Sequence, residues 1–113
     1  MPDTPERNLL TLVPIRRMEW KTDPESGLIR IIKPKFIHPL MVKYILPRLK
    51  KPYYEIKLDA FGSFVWNSID GHLTVDGIAG KMRETFGDAI EPVYDRLGEF
   101  ITNLDRYKFI GFK

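Results

Sequence analysis

The segment that constrains this chain most is Leu58–Lys113, where apolar residues recur at helical spacing between residues that start and stop helices. Asp59 is a favourable N-cap, and Phe61, Val65 and Ile69 follow it at intervals that place them on one helical face. Asp70-Gly71 then ends the pattern, because glycine tolerates the left-handed conformation that closes a last turn. The segment therefore opens with a predicted helix between Asp59 and Asp70.

Two more helices are predicted downstream by the same kinds of residue. Thr74 is a predicted N-cap, and Gly87 a predicted stop, for a helix with an apolar face of Val75, Ile78, Ala79, Met82 and Phe86. A third helix is predicted to begin near Pro92 and to run towards Phe109-Ile110. Its apolar stripe consists of Ile90, Val93, Tyr94, Leu97, Ile101 and Leu104. The short connections between these helices favour a compact three-helix bundle.

The first half of the chain shows strand patterns instead. Arg17–Lys21 alternates apolar with charged residues, and Gly27–Lys33 follows after a turn-forming Thr-Asp-Pro-Glu-Ser segment, which predicts a hairpin. Tyr53–Leu58 supplies a third strand, with Tyr54, Ile56 and Leu58 on one face. Three strands followed by three helices predict a single α+β domain over residues 15–113.

The second half of the chain contains the motif LDxFGSxVWxxIDG, then LTVxxIA, then a long predicted helix ending in KFI. In these motifs it resembles the PqqD-like family, named for pyrroloquinoline quinone biosynthesis protein D. The resemblance implies a winged helix-turn-helix fold, with a small three-stranded antiparallel sheet packed on a three-helix bundle. It also implies a non-catalytic peptide chaperone. Such a protein recognises the leader of a ribosomally synthesised, post-translationally modified peptide and presents it to a tailoring enzyme, for example a radical S-adenosylmethionine enzyme.

The resemblance also implies where such a leader would bind. In the family the leader adds as a further strand beside the third strand and lies against the third helix. Carried onto this chain, the strand residues are Tyr53, Tyr54, Glu55, Ile56, Lys57 and Leu58, and the helix residues are Tyr94, Leu97, Gly98 and Ile101. The helix residues belong to the stripe that must also bury the domain's own core, so ordinary core packing remains an equal alternative for them.

A basic insert at about residues 34–52 separates the second and third predicted strands and exceeds the short connection of compact family members. From Ser26 to Tyr54 there is no Asp or Glu, although the chain as a whole has a formal charge of only +3. Lys43, Arg48, Lys50 and Lys51 are the predicted docking residues for an acidic peptide or enzyme partner. A solvated surface, nucleic acid and an anionic membrane are the alternatives.

Composition and motif content exclude several function classes. With no cysteine, the chain has no disulfide, thiolate zinc site or thiol nucleophile, and His38 and His72 lack metal-ligand spacing. No nucleophile elbow or phosphate-binding loop is present, so we expect no catalytic residue, metal or cofactor.

No apolar run approaches the roughly 18 residues of a spanning helix. Residues 1–14, with three prolines, are expected to form a flexible tail of a cytoplasmic protein that is either a monomer or a homodimer.

Two other functions fit the predicted fold. A winged helix DNA-binding regulator needs a basic recognition helix, but the third predicted helix carries Glu91, Asp95, Glu99 and Asp105 against Arg96 and Arg106. Nucleic acid is therefore the weaker partner. A protein-protein adaptor that has no leader peptide as its substrate is the second alternative.

Overall fold

The computed structural model describes residues 8–34 and 53–113. These residues form two compact units, one from residues 8–17 with 61–113 and the other from residues 18–34 with 53–60. We call them the helical unit and the sheet unit. The insert expected at about 34–52 lies outside the described residues except for Pro34, so the predicted docking residues Lys43, Arg48, Lys50 and Lys51 lie outside them too.

The described elements follow the predicted order of strands and then helices, with an additional short strand at each end. They are β1 (Pro14–Arg16), β2 (Glu19–Thr22), β3 (Ile29–Pro34), β4 (Tyr53–Lys57), α1 (Ala60–Ser68), α2 (Val75–Phe86), α3 (Val93–Arg106) and β5 (Ile110–Phe112). Short 3-10 helices occupy Leu9–Thr11 and Gly87–Ile90. The prediction of an α+β fold with three helices and a small antiparallel sheet is confirmed.

The sheet unit is a three-stranded antiparallel sheet in the order β2-β3-β4. The β2–β3 hairpin turns at Asp23, whose carboxylate accepts hydrogen bonds from the main-chain N–H of Glu25 at 2.9 Å and of Ser26 at 3.4 Å. These bonds stabilise the ionised carboxylate and lower the pKa of Asp23. Gly27, at φ +75°, supplies the left-handed residue that returns the chain to β3.

The core of the helical unit comes from all three helices and the residues that flank them. Its buried apolar side chains are Val65, Trp66, Ile69, Val75, Ile78, Ala79, Met82, Ile90, Val93, Leu97, Ile101, Leu104, Phe109 and Ile110. Burying one large aliphatic side chain stabilises a fold by about 1.5–3 kcal/mol, so packing of the predicted stripes holds these helices together.

The helix starts match the predicted signals at both α2 and α3, whereas one residue of the predicted α3 stripe lies outside that helix. Thr74 Oγ1 accepts a hydrogen bond from Gly77 N at 3.0 Å, and Gly87 closes α2 at φ +63°. Helix α3 begins at Val93 after a cis Glu91–Pro92 bond, and Ile90, expected on its stripe, lies in the preceding 3-10 helix. None of the helices within residues 8–34 and 53–113 has the length and apolar character needed to cross a membrane.

The third helix also ends earlier than predicted. Lys108 has φ +63°, a left-handed conformation that interrupts helical geometry, and the chain continues as β5. Strand β5 pairs antiparallel with β1, with Pro14 opposite Phe112. The predicted long helix ending in KFI is therefore wrong for Phe109-Ile110.

Residues 8–14 differ from the flexible tail expected there, because two parts of the helical unit bind them. The carbonyl of Leu12 accepts a hydrogen bond from Val75 N at 3.0 Å, at the start of α2. The carbonyl of Val13 accepts one from Lys113 N at 2.8 Å. These main-chain bonds attach residues 8–14 to the start of α2 and to the end of β5.

We expect Thr74→Ala to lower the free energy of unfolding by about 1 kcal/mol, because it removes the side-chain oxygen that caps α2. Urea denaturation followed by circular dichroism measures the change. Thr85→Ala is the matched control, since Thr85 is an exposed residue of the same helix, and we expect it to stay within about 0.5 kcal/mol of the parent. Equal losses in the two variants would contradict the capping role of Thr74.

Candidate functional site

Strand β4 is an edge strand, since among the described residues it pairs only with β3. The register places Lys57 opposite Arg30, Ile56 opposite Ile31 and Glu55 opposite Ile32. One step beyond the strand, Leu58 N donates to Ile29 O at 2.9 Å. In an antiparallel ladder, hydrogen-bonded and non-hydrogen-bonded pairs alternate, so this single bond fixes the direction of every main-chain group in β4.

The alternation separates the residues of β4 into two sets. Leu58, Ile56 and Tyr54 belong to hydrogen-bonded pairs and direct their N–H and C=O groups towards β3. Tyr53, Glu55 and Lys57 consequently direct theirs towards the opposite edge. This edge presents the donors and acceptors that another strand would need for pairing.

The same alternation assigns the side chains of β4 to the two faces of the sheet. Tyr54, Ile56 and Leu58 share a face with the cross-strand residues Ile29 and Ile31, which are buried. Tyr53, Glu55 and Lys57 lie on the other face. The outward-directed main-chain groups of β4 thus belong to residues whose side chains lie on its more polar face.

Glu55 is the centre of an ion-pair network on that polar face. Its carboxylate lies 3.5 Å from Lys21 Nζ and 3.5 Å from Arg30 Nη1, and Arg30 Nη2 lies 3.3 Å from Asp23 Oδ2. Only 19% of the Glu55 side chain is exposed. Glu55 therefore ties β4 to both other strands through its side chain, while its main chain is directed towards the edge.

The four candidate residues on α3 occupy two different environments. Leu97 and Ile101 are fully buried, whereas Tyr94 is 40% exposed and Gly98 is half-buried. Tyr94 and Gly98 line an open cleft of about 540 Å³. The full lining of this cleft, which we call the α3 cleft, is Leu9, Tyr94, Asp95, Gly98, Glu99, Thr102, Asn103 and Arg106. No local pattern in the sequence relates Leu9 to α3, since the two are more than 80 residues apart.

Tyr94 is held in place by residues of α2. Its hydroxyl donates to Asp76 Oδ1 at 2.8 Å, and the Arg83 guanidinium carbon lies 4.7 Å from its ring centroid. Arg83 Nε in turn donates to Glu91 Oε2 at 2.8 Å. The hydrogen bond to Asp76 raises the pKa of Tyr94, and the hydrogen bond from Arg83 lowers the pKa of Glu91.

A second cleft, of about 240 Å³, lies on a neighbouring flank of α3 and was missed by the sequence analysis. It is lined by Phe61, Arg96, Glu99, Phe100 and Asn103. The Phe61 and Phe100 rings meet edge to face with centroids 5.7 Å apart, and the Arg96 guanidinium carbon lies 4.7 Å from the Phe61 centroid. Phe100 falls outside the apolar stripe of its helix. An aromatic residue at such a position was the one sequence signal that could have indicated this cleft.

No cluster of three or more His, Cys, Asp or Glu side chains within residues 8–34 and 53–113 could hold a metal ion. Of the two histidines, His72 is an exposed residue of the α1–α2 connection and His38 lies outside the described residues. The described surface therefore offers a ligand a strand edge, the two clefts on α3 and a smaller pocket of about 160 Å³ on the sheet, lined by Lys21, Thr22, Asp23, Pro24, Arg30 and Glu55.

We expect the phenol of Tyr94 to titrate above its ordinary pKa of 10.0. The neutral phenol donates to Asp76, so the contact stabilises the fold below that ordinary value and is lost as the pH rises through the raised pKa. Asp76→Ala should lower the midpoint, and ¹³C NMR of the tyrosine Cζ carbon measures it. Asp105→Ala removes the same charge elsewhere on the helical unit and should leave the midpoint unchanged. An equal midpoint in the parent and Asp76→Ala would refute the contact.

Comparison with known families adds one finding to this geometry. A family model described as coenzyme PQQ synthesis protein D (PqqD) matches residues 48–110, which is more than half of the chain. No curated protein and no solved structure matches the chain. The family match includes β4, all three helices and the first residue of β5. This chain belongs to the PqqD family.

Proposed function

We propose that this chain is a non-catalytic peptide-binding protein, which recognises the leader of a ribosomally synthesised, post-translationally modified peptide and presents it to a tailoring enzyme. Membership of the PqqD family supports an accessory role of this kind. The observation that carries the proposal is the edge of β4, where the main-chain groups of Tyr53, Glu55 and Lys57 face away from β3. In this proposal the leader pairs with that edge as an added strand.

Strand addition suits a binder whose ligand varies in sequence, because main-chain hydrogen bonds supply affinity whatever the side chains are. Each such bond contributes a net of about 0.5–1.5 kcal/mol, so three outward residues alone give weak binding. Side-chain contacts must add to it. Of the proposed contact residues on the helical unit, Tyr94 and Gly98 line the α3 cleft, whereas Leu97 and Ile101 are buried in the core of that unit.

We assign the three helices and the β2-β3-β4 sheet to the winged helix-turn-helix arrangement of the family. A radical S-adenosylmethionine enzyme is the proposed tailoring partner. Both assignments follow from family membership.

The charges on α3 disfavour the alternative function of DNA recognition. Its exposed acidic residues are Asp95, Glu99 and Asp105, against the exposed Arg96 and Arg106. Arg96 Nη1 also lies 3.4 Å from the carbonyl oxygens of Ala89 and Ile90. A recognition helix needs surplus positive charge to neutralise phosphates, and α3 has none.

We expect Glu55→Pro to reduce leader binding by more than about tenfold, because proline removes an outward N–H and its ring obstructs the incoming strand. Glu55→Ala keeps that N–H and should bind only slightly less well than the parent. Both variants lose the ion pairs to Lys21 and Arg30, so the difference between them isolates the main-chain donor. Calorimetry measures both affinities, with a synthetic leader chosen by searching the neighbouring reading frames for a short precursor peptide.

Edge strands tolerate proline, so both variants should keep the parent's circular dichroism spectrum. Equal affinities for the alanine and proline variants, with unchanged spectra, would show that the peptide is not held by β4.

A further inference from the structure

We propose that the leader segment beside β4 runs antiparallel to it and carries the pattern acidic–apolar–any–apolar, with its acidic residue opposite Lys57. This inference rests on the proposed strand addition and goes beyond it by naming the chemistry of the segment that is recognised. Lys57 is its specificity-determining residue.

The direction of the added strand follows from the sheet that it joins. Both existing strand pairs are antiparallel, and antiparallel pairing is slightly the more stable arrangement for each residue. The leader segment then meets Lys57 first and Tyr53 last along its own chain. Successive leader residues lie opposite Lys57, Ile56, Glu55 and Tyr54.

The apolar positions of the pattern are set by the side chains that β4 leaves open on its apolar face. Tyr54 is 54% exposed and Ile56 is half-buried, on the face where Ile29 and Ile31 have no exposed surface. Leader residues opposite Ile56 and Tyr54 fall on this same face. Apolar side chains there remove the remaining surface of both residues from water.

The acidic position is set by the charge balance of the polar face. The carboxylate of Glu55 is balanced by Lys21 and Arg30, and Arg30 also pairs with Asp23. Lys57 is exposed, its cross-strand neighbour is the cation Arg30, and within residues 8–34 and 53–113 no carboxylate forms an ion pair with it. A carboxylate directly opposite Lys57 forms a favourable cross-strand pair, whereas a cation there is repelled.

The position opposite Glu55 carries no such preference. Its two neighbouring cations already satisfy the carboxylate, so a leader cation adds little and a leader anion is screened by Lys21 and Arg30. This is why the pattern leaves that residue open.

The inference is tested by selecting displayed random heptapeptides on the full-length chain and on Lys57→Glu. The parent should enrich peptides with the acidic–apolar–any–apolar pattern. Lys57→Glu should enrich Lys or Arg at the first position and keep both apolar positions. For single selected peptides, replacing the acidic residue with Lys should weaken binding to the parent by about fivefold, and Lys57→Glu should restore it. Lys81→Glu, an equal charge change on exposed α2 surface, should select as the parent does.

The same selection separates failure of the inference from failure of the proposed function. In one outcome, the enriched peptides bind Glu55→Ala but not Glu55→Pro, and the parent and Lys57→Glu enrich the same kind of residue at the first position. The peptide then pairs with β4, but the preference for an acidic residue opposite Lys57 is wrong. If no peptide is enriched, or if enriched peptides bind folded Glu55→Pro as well as Glu55→Ala, both strand addition and the acidic rule are overturned.

Discussion

The hydrogen bond from Leu58 N to Ile29 O determines which main-chain groups of β4 are directed away from β3. Because pairs alternate along an antiparallel ladder, it turns the main chain of Leu58, Ile56 and Tyr54 inwards and that of Tyr53, Glu55 and Lys57 outwards. A shift of one residue in register would exchange the two sets and would also bring Ile56 to the polar face. The buried side chains of Ile29, Ile31 and Leu58 oppose such a shift, so the packing of the apolar face preserves the direction of the main-chain groups at the edge.

The helical unit positions α3 by a different means. Its two short terminal strands pair with each other, and the segment between Asn8 and β1 binds the start of α2 through Leu12. Leu9 reaches the α3 cleft from this segment, with a methyl group 3.9 Å from where a Cβ on Gly98 would lie. The wall of that cleft is thus built from Leu9 and from α3, which are far apart in the sequence, and the Asp76–Tyr94 hydrogen bond joins α3 to α2 beside it.

Local sequence signals predicted most helices and strands of this fold. They did not predict the pairing of strands that are far apart in the sequence. Thr74 and Gly87 act through bonds within a few residues, so their roles were readable from the chain. Strands β1 and β5 have three residues each, too few to show a period, and they pair across nearly the whole length of the chain. The alternation in Tyr53–Leu58 showed which residues share a face. It did not show which of them direct their main chain outwards, since that depends on the register with β3. The partners of Glu55 on β2 and β3 depend on the same register.

The central claim is that the edge of β4 is open in the unliganded protein, and amide hydrogen exchange measured by NMR tests it most directly. In the free protein, the amides of Tyr54, Ile56 and Leu58 should exchange slowly, because they donate to β3, while those of Tyr53, Glu55 and Lys57 should exchange at rates close to those of an unfolded chain. That alternation of slow and fast amides is the predicted result. Slow exchange at Tyr53, Glu55 and Lys57 without any added peptide would show that the edge is already covered and would contradict strand addition.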